Sequence, residues 1–294
     1  MIRLGTRGSA LALAQAQLVA GLLNDEVELV PIKTSGDRGA GGDKARFVKE
    51  IEQALLAGEV DLAVHSAKDV PSELPEGLSI VGVPERADAR DALCGAASLD
   101  ELAEGAVVGT GSLRRRAQLL ALRPDLNVRP LRGNVDTRLG KLADGEYDAL
   151  LLAAAGLDRL GRAAEGTALS AAELTPAPGQ GCLALEARSD DRRTASLAAG
   201  ATDRGSLTCL TAERALVQAL DASCHTPLGA NGALDRDRLE LSAFVGLPDG
   251  SAWVRDSLAG DAGAPAALGQ EVGARLVAAG GGDLLRQAEE SAGR

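Results

Sequence analysis

The sequence predicts an α/β protein built from two lobes of related design, followed by a C-terminal α+β domain. In the first half, short apolar segments alternate with amphipathic segments, which is typical of strands covered by helices. A similar turn occurs twice, at Leu4–Ser9 and at Val108–Ser112, each time after an apolar strand and before a helix. In open α/β sheets the ligand lies beyond the carboxyl ends of the strands, so two such lobes would face one cleft. The alternative is that both turns serve only as helix N-caps.

The elements of the first half follow from this alternation. The predicted strands are Ile2–Thr6, Val27–Ile32, Asp61–His65, Leu78–Val83, Ala106–Thr110, Leu126–Leu131 and Asp148–Ala153. The predicted helices are Ser9–Leu23, Arg46–Ala57, Leu113–Leu122 and Val135–Ala143.

The character of the chain changes after the Pro/Gly-rich stretch Pro176–Gly181, which is commonly the sign of a linker. A third domain of the α+β class is therefore expected from about residue 205 onward. The elements predicted after the stretch are strand Cys182–Ala187, helix Ser206–Leu220, strands Leu239–Val245 and Ala252–Leu258, and helix Ala264–Ala279.

Composition excludes several classes of protein. The 294 residues are 45% hydrophobic, which is enough for two or three domains with aliphatic cores. A formal net charge of -11 and only 1% aromatic residues argue against a nucleic-acid-binding protein. No apolar stretch reaches the roughly 20 residues of a membrane span. Arg7, Gln15 and Gln17 interrupt the Ala/Leu-rich start where a signal peptide would be apolar, so a cytoplasmic protein is predicted.

The cysteines indicate neither a disulfide framework nor a metal site. Cys94, Cys182, Cys209 and Cys224 form no Cys-x-x-Cys pair, and only two histidines accompany them.

A strongly basic stretch lies between Thr110 and Lys141. Its basic residues are Arg114, Arg115, Arg116, Arg123, Arg129, Arg132, Arg138 and Lys141, against which only Asp125 and Asp136 are acidic. Guanidinium groups match carboxylate or phosphate oxygens two at a time. The stretch therefore predicts the wall of a site for a small polyanion. A solvated helix face is the alternative.

Two further segments contain candidate catalytic groups. Asp69 follows the strand Asp61–His65, where it could act as a general acid or base or as the countercharge of a cation. Local sequence alone favours a turn cap or a pair with Lys68. Cys224 stands in a loop of small residues beside His225, which suits a reactive thiolate, although most lone cysteines are small buried apolar residues.

Six segments together resemble one family. They are Arg3–Gln15 (RLGTRGSALALAQ), His65–Pro75 (HSAKDVPSELP), Val108–Gln118 (VGTGSLRRRAQ), Leu131–Leu142 (LRGNVDTRLGKL), Pro178–Gly181 (PGQG) and Glu213–Gly229 (ERALVQALDASCHTPLG). They occur in the order found in the porphobilinogen deaminase (hydroxymethylbilane synthase) family, whose members link four porphobilinogen units head to tail in tetrapyrrole biosynthesis. The resemblance covers essentially the whole chain.

The resemblance implies a dipyrromethane cofactor, bound through a thioether to Cys224, and no metal. It implies that Asp69 is catalytic, since loss of ammonia from porphobilinogen leaves an azafulvenium-like cation that a carboxylate can stabilise. The other cofactor-binding residues that it implies are Lys44, Lys68, Thr110, Ser112, Arg114, Arg115 and Arg138. The substrate-binding residues that it implies are Arg7, Ser9, Phe47, Arg132 and Arg159.

The resemblance also implies three domains. Residues 1–86 and 182–200 would form one periplasmic-binding-protein-like lobe, residues 90–176 the second, and residues 205–294 a C-terminal α+β domain that carries the cofactor. The expected partner is porphobilinogen, with no nucleic acid and no membrane, and a monomer is expected.

Two departures and two rival functions accompany the resemblance. Gly42–Phe47 replaces a Gly-Gly-Lys-Gly-Leu-Phe-like stretch, with Asp43 and Arg46 as unusual residues, and Ala222–Ser223 replaces a pair that commonly contains glycine. One rival is a two-lobed binding protein for an organic anion, because a fold alone does not specify chemistry. The other is a thiol enzyme that uses Cys224 with His225.

Overall fold

The computed structural model describes residues 1–34, 48–222 and 226–292. The strands are β1 Ile2–Arg7, β2 Val27–Ile32, β3 Leu62–Ser66, β4 Leu78–Gly82, β5 Asp91–Cys94, β6 Val107–Gly109, β7 Asn127–Arg129, β8 Ala149–Ala153, β9 Thr167–Ala168, β10 Leu183–Arg188, β11 Leu228–Asp235, β12 Arg238–Gly246 and β13 Trp253–Asp261. The helices are α1 Ala10–Leu22, α2 Lys49–Leu56, α3 Leu113–Leu122, α4 Val135–Ala143, α5 Ala154–Arg159, α6 Arg192–Gly200, α7 Arg204–Ala219, α8 Pro265–Ala278 and α9 Gly281–Ala292.

The first sheet has the strand order β2-β1-β3-β10-β4. Strand β1 lies parallel to β2 and β3, whereas β10 lies antiparallel to β3 and β4. Apolar residues of the inner strands, such as Leu4 and Leu185, pack against Val19 of α1 on one face. On the other face Ile51 and Leu55 of α2 form a second core. Burial on both faces explains why these strands read as nearly continuous apolar runs.

The second sheet repeats the pattern of the first, with the order β7-β6-β8-β5-β9. Strand β6 lies parallel to β7 and β8, and β5 lies antiparallel to β8 and β9. The antiparallel inner strands are β10 in the first sheet and β5 in the second. Each of them begins just after the chain has crossed over from the other lobe. Residues 83–90 form the first crossing and residues 169–182 the second. The prediction of two lobes of related design is confirmed.

The two crossings lie against each other. The amide of Ala87 donates to the carbonyl of Gly181 at 3.3 Å. Gly181 has a φ of +89°, and a Cβ at this position would collide with the Ala87 carbonyl oxygen. Both the backbone conformation and the close approach therefore require glycine here.

The C-terminal domain is an antiparallel sheet, β11-β12-β13, packed with α7, α8 and α9. Its core includes Leu216 of α7, Leu241 of β12 and Val272 of α8. The predicted α+β class of this domain is confirmed, so the predicted fold class holds for all three units. Among the described residues no helix is long and apolar enough to cross a membrane.

Six elements were absent from the sequence prediction. They are β5, β9, β11, α5, α6 and α9. Strands β5 and β9 have four and two residues, too few for a periodicity. Strand β11 is rich in Gly, Ala and Asn, which have low strand propensity. The predicted helix Arg46–Ala57 is described only as α2, because residues 35–47 lie outside the described part of the chain.

Candidate active site

A loop from the first lobe and a helix from the second approach each other at the site. Strand β3 ends at Ser66 and continues into a single 3-10 turn, Ala67–Asp69, which is closed by a bond from the Val70 amide to the Ala67 carbonyl. The Ala67 amide also donates to the Cys182 carbonyl in the second crossing. These bonds fix the turn at the carboxyl end of the strand, where sites form in α/β sheets.

A small cavity of about 30 Å³ lies beside this turn. Its polar lining residues are Arg7, Gln15, His65, Ser66 and Asp69. Gln15 Nε2 donates to Ser66 Oγ at 2.9 Å and thereby ties α1 to the end of β3. Arg7 and Asp69, which the sequence analysis predicted as separate site residues, therefore line one cavity. Gln15 is a member of this site for which the sequence analysis gave no role.

The recurring turn produces one helix N-terminus in each lobe. Ser9 caps α1 by accepting from the Ala12 amide at 3.3 Å, and Ser112 caps α3 by accepting from the Arg115 amide at 3.4 Å. Thr110 Oγ1 accepts from the Ser112 amide. The capping alternative is thus observed. The expected ligand contacts of Ser9, Thr110 and Ser112 stay predictions.

Arg114 and Arg115 point inward, onto a buried carboxylate. Arg114 Nη1 donates to Asp91 Oδ2 at 2.6 Å and to the Thr175 carbonyl at 2.7 Å. Arg115 Nε donates to Asp91 Oδ1 at 2.9 Å, and its Nη1 donates to the Leu151 carbonyl at 2.8 Å. Most donors of both guanidinium groups therefore bind the protein itself, and their ligand contacts remain predictions.

Asp91 has no exposed surface. Burial by itself raises the pKa of a carboxyl group, but the charges of Arg114 and Arg115 oppose this and hold the pKa of Asp91 well below its usual range. The ionised carboxylate thus anchors two arginines at the N-terminal end of α3. The sequence analysis missed Asp91 because its strand, β5, is so short.

Asp91→Asn should lower the free energy of unfolding at pH 7 by about 3 kcal/mol, since it leaves two buried guanidinium groups without a counterion. Because folding lowers the pKa of Asp91, its stabilising effect is present above the unfolded value of about 3.9 and is lost as the pH falls below it. Urea unfolding should therefore show that the free energy of unfolding decreases less between pH 7 and pH 3 in the variant than in the wild type. Asp88→Asn, which breaks an exposed pair with Arg90, should change stability by less than about 1 kcal/mol. Equal effects of the two substitutions would contradict this role of Asp91.

Gln180 connects the two lobes at the second crossing. Its Nε2 donates to Asp91 Oδ1 at 2.8 Å and to the Ala89 carbonyl at 2.7 Å. Its Oε1 accepts from Lys68 Nζ and from Arg115 Nη2, both at 3.5 Å. Lys68 of the first lobe is thereby placed beside the Asp91 network of the second. The Pro-Gly-Gln-Gly motif marks this glutamine, although the sequence analysis gave it no role.

Arg138 and Arg159 are half-buried cations near the centre of the site. Arg138 Nε donates to the Gly133 carbonyl and Arg159 Nη2 to the Gly181 carbonyl, each at 2.7 Å. Within the described ranges neither guanidinium forms a salt bridge. Burial lowers the pKa of both, and the nearby charge of Arg115 lowers that of Arg138 further. The charge of Asp69 in the first lobe acts on the pKa of Arg138 in the opposite direction, so the two groups are close enough to interact.

The rest of the basic stretch is not part of one wall, which corrects the sequence interpretation. Arg116 donates to the Pro248 carbonyl of the C-terminal domain, Arg123 binds Asp125, and Lys141 pairs with Glu146. Arg129 and Arg132 are exposed. The stretch therefore divides into groups that hold the protein together and a smaller group, with Arg138, that faces the site. The burial of each side chain decides to which of the two groups it belongs, and the sequence does not show burial.

Three predicted site residues, Lys44, Phe47 and Cys224, lie outside the described residues. The chain leading to Cys224 is described on both sides. Helix α7 ends at Ala219, and both Ala222 and Thr226 are buried.

The body of α7 is fixed to the crossings through Glu213. This fully buried carboxylate accepts from Arg86 Nη1 at 2.6 Å, from the Gly179 amide at 2.6 Å and from the Gly232 amide at 2.7 Å. The C-terminal domain is thus bound to both chain crossings at one point.

Comparison with known proteins places this geometry in a family. Residues 2–196 match the family model described as "porphobilinogen deaminase, dipyromethane cofactor binding domain", and residues 207–278 match its C-terminal domain. A porphobilinogen deaminase from Thermus thermophilus is 46% identical, over 98% of this chain and 99% of that protein. Another, from Paracoccus denitrificans, is 50% identical, over 94% of this chain and 93% of that protein. A periplasmic sulfonate-binding protein from Methylobacillus flagellatus matches 72% of this chain and 66% of its own, at 14% identity and a TM-score of 0.39.

Proposed function

The chain belongs to the porphobilinogen deaminase family, and on that premise we propose which of its residues carry out the reaction. The family's enzymes act in tetrapyrrole biosynthesis, and this chain contains their dipyrromethane cofactor-binding domain. The proposal rests on one observation above all. Arg138 and Arg159 are half-buried and form no salt bridge within the described part of the chain, and both lie near the turn of Asp69: Asp69 is close enough to interact with Arg138, and Arg159 binds the Gly181 carbonyl beside Cys182, whose carbonyl accepts from the Ala67 amide.

The residues of the cleft fit a dipyrromethane. Each of its pyrrole rings bears an acetate and a propionate, so the group is a polycarboxylate. Arg138 and Arg159 are half-buried cations that form no salt bridge with the described residues. They favour such an anion, because its carboxylates would supply their counterions. Arg138, Lys68 and the capped N-terminus of α3 would hold it. When bound, it supplies the primer on which the chain of pyrroles grows.

Asp69 is assigned to the cation formed from the substrate. When porphobilinogen loses ammonia, the electron pair of the C–N bond leaves with nitrogen and the ring becomes cationic. A fixed carboxylate stabilises that charge, and the hydrogen-bonded turn Ala67–Asp69 keeps it at the end of β3. Arg7 and Ser9, on the same edge of the first lobe, are assigned with Arg132 and Arg159 to the carboxylates of the substrate.

Cys224 is assigned to the thioether. The other three thiols are buried, and burial raises the pKa of Cys94 to about 11 and that of Cys182 to about 12. The pKa of Cys209 is also raised by burial. Since the thiolate is the nucleophile, these three groups are unreactive at neutral pH. Lys44 and Phe47 are kept as proposed contacts of the cofactor and the substrate.

The intact mass of the purified protein tests this assignment. It should exceed the sequence mass by one dipyrromethane, and the protein should release ammonia from porphobilinogen. An organic-anion-binding protein without catalysis would show the sequence mass alone. A thiol enzyme that uses Cys224 would react with alkylating reagents at that cysteine in the purified state, whereas a thioether would protect it.

The enzyme is further proposed to act as a monomer, as the family resemblance implies. Size-exclusion chromatography with light scattering should give one chain per particle. The cytoplasmic location stays a prediction from the sequence.

Arg138→Leu should lower kcat/KM for porphobilinogen by about 10- to 100-fold, because it removes a charge-assisted contact worth about 1.5–3 kcal/mol. Arg193→Leu is the matched control, since Arg193 is 66% exposed on α6 and pairs with Asp25. The control should stay within about twofold of the wild type. Equal, mild effects at both positions would contradict a role for Arg138 in ligand binding.

A further inference from the structure

A second group of ionisable side chains lies buried directly behind the active site. His65 of β3, Glu186 of β10 and Glu52 of α2 are 5%, 1% and 7% exposed. His65 Nε2 lies 3.0 Å from Glu186 Oε2. Glu52 comes from the helix that covers this face of the sheet. The proposed function uses none of these three side chains.

These side chains share too few hydrogen bonds for two buried carboxylates. Apart from the contact of Oε2 with His65, the oxygens of Glu186 have no hydrogen-bond partner among the described residues, and one oxygen of Glu52 has none either. Burial raises the pKa of Glu52, and the charge of Glu186 raises it further, while His65 acts in the opposite direction. The 3.0 Å contact of His65 with Glu186, together with a Glu52 close enough to interact with both, favours a shared proton.

Three other charged side chains lie near the cluster. Arg214 of α7 is close enough to interact with Glu186, but its Nη2 donates to the carbonyls of Pro71 and Ser72. Arg7 and Asp69 line the same cavity as His65.

The cavity joins this cluster to Asp69. His65 and Asp69 both line it, together with the hydrogen-bonded pair Gln15 and Ser66. Its volume of about 30 Å³ corresponds to one water molecule, and its lining offers the polar partners that a water needs. A neutral imidazole accepts a proton at one nitrogen while it donates from the other, which suits transfer through such a site.

The reaction itself releases a proton that must be removed. When the carbon of one ring attacks the methylene carbon of the next, a C–C bond forms and the attacked position of the ring loses its hydrogen as a proton. If Asp69 accepted that proton and kept it, its carboxylate would be neutral and would not stabilise the next cation. A proton that Asp69 accepts must therefore leave it before another unit is added.

We propose that His65, backed by Glu186 and Glu52, is a positioning and proton-accepting residue behind Asp69. It takes up the proton that Asp69 accepts in each bond-forming step, which returns Asp69 to its ionised form, and the resulting imidazolium releases that proton to water before the next unit is added. The transfer runs from Asp69 to the imidazole, directly or through one water, and the carboxylates of Glu186 and Glu52 stabilise the imidazolium. This inference rests on the proposed role of Asp69.

His65→Gln and Glu52→Gln test the proposal, with Glu59→Gln as the control because Glu59 is exposed just beyond α2. Both test variants should retain the dipyrromethane mass and a KM within about twofold of the wild type. Their kcat should fall roughly tenfold near neutral pH, less than the about 10²–10⁴ of a direct general acid–base group. The lost kcat should return as the pH rises or as a small buffer base such as imidazole is added. The control should match the wild type.

Two results would overturn the proposal. If both variants turned over like the wild type at every pH, the proton would leave with the ammonia. If kcat fell together with the melting temperature and without any dependence on pH or buffer, the cluster would only stabilise the fold. Should His65→Gln fail to fold, Glu52→Gln decides by the same criteria. An active Asp69→Asn variant would instead refute the proposed function. Failure of the inference about His65 can therefore be distinguished from failure of the proposed function.

Discussion

Cys224→Ser should yield a folded protein without the dipyrromethane mass and without measurable turnover. A serine hydroxyl lacks the nucleophilicity of a thiolate, so the primer would have no attachment point. Cys224 follows α7, whose Glu213 is fixed to both crossings, and substitution in the loop leaves those contacts intact. Intact mass spectrometry and circular dichroism give the two readouts.

The other three cysteines provide matched controls. Cys94→Ser, Cys182→Ser and Cys209→Ser should each retain the full cofactor mass, since these thiols are buried in the lobes or in the body of α7. Their cost should appear only in stability, because serine places a hydroxyl in an apolar environment. Retention of the adduct in Cys224→Ser, or its loss in one of the three controls, would contradict the assignment.

The fold could be predicted from the sequence wherever local periodicity and burial agree. Strand β2 was predicted with its observed bounds, and α3 and α4 likewise. The recurring turn at Leu4–Ser9 and Val108–Ser112 predicted two related lobes, because each turn joins a strand of a helix-covered sheet to the helix that follows it. The antiparallel strand β5 was not predictable, since it is set by pairing with β8 and not by a pattern of its own.

The site could be predicted only in part, because a sequence shows charges without their partners. Arg114 and Arg138 look alike in the basic stretch, yet Arg114 is buried on Asp91 whereas Arg138 is half-buried and close enough to Asp69 to interact with it. Asp91 and Gln180, which position Arg115 and Lys68, are far from them in the chain. Long-range pairing of this kind follows from the topology of the lobes, in which the crossings bring residues 83–90 and 169–182 together.

The C-terminal domain adds a constraint that no single motif revealed. Glu213 binds Arg86 of the first crossing and the Gly179 amide of the second, so it joins the third domain to the point where the lobes meet. A buried carboxylate with three donors is well satisfied, which makes this contact rigid. The helix that leads to Cys224 is therefore positioned relative to both lobes at once.

Asp69→Asn should fold and carry the cofactor but lose at least about a hundredfold in turnover. The amide keeps the shape of the side chain and removes its charge, so a cation forming beside it loses one preorganised electrostatic partner, worth about 2.7–4 kcal/mol. The turn Ala67–Asp69 is closed by backbone bonds, from Val70 to Ala67 and from Ala67 to Cys182, and these survive the substitution. The ratio of kcat in variant and wild type, measured on protein of verified cofactor mass, gives the effect.

Asp69→Glu separates charge from position. It keeps the carboxylate and displaces it by one methylene, so it should retain more activity than Asp69→Asn, although less than the wild type. If the carboxylate acts on a cation, the loss in Asp69→Asn falls on kcat and leaves the porphobilinogen concentration at half-saturation nearly unchanged. Near wild-type turnover of the amide variant would instead show that Asp69 only caps its turn, and the carboxylate that serves the reaction would have to lie elsewhere in the cleft.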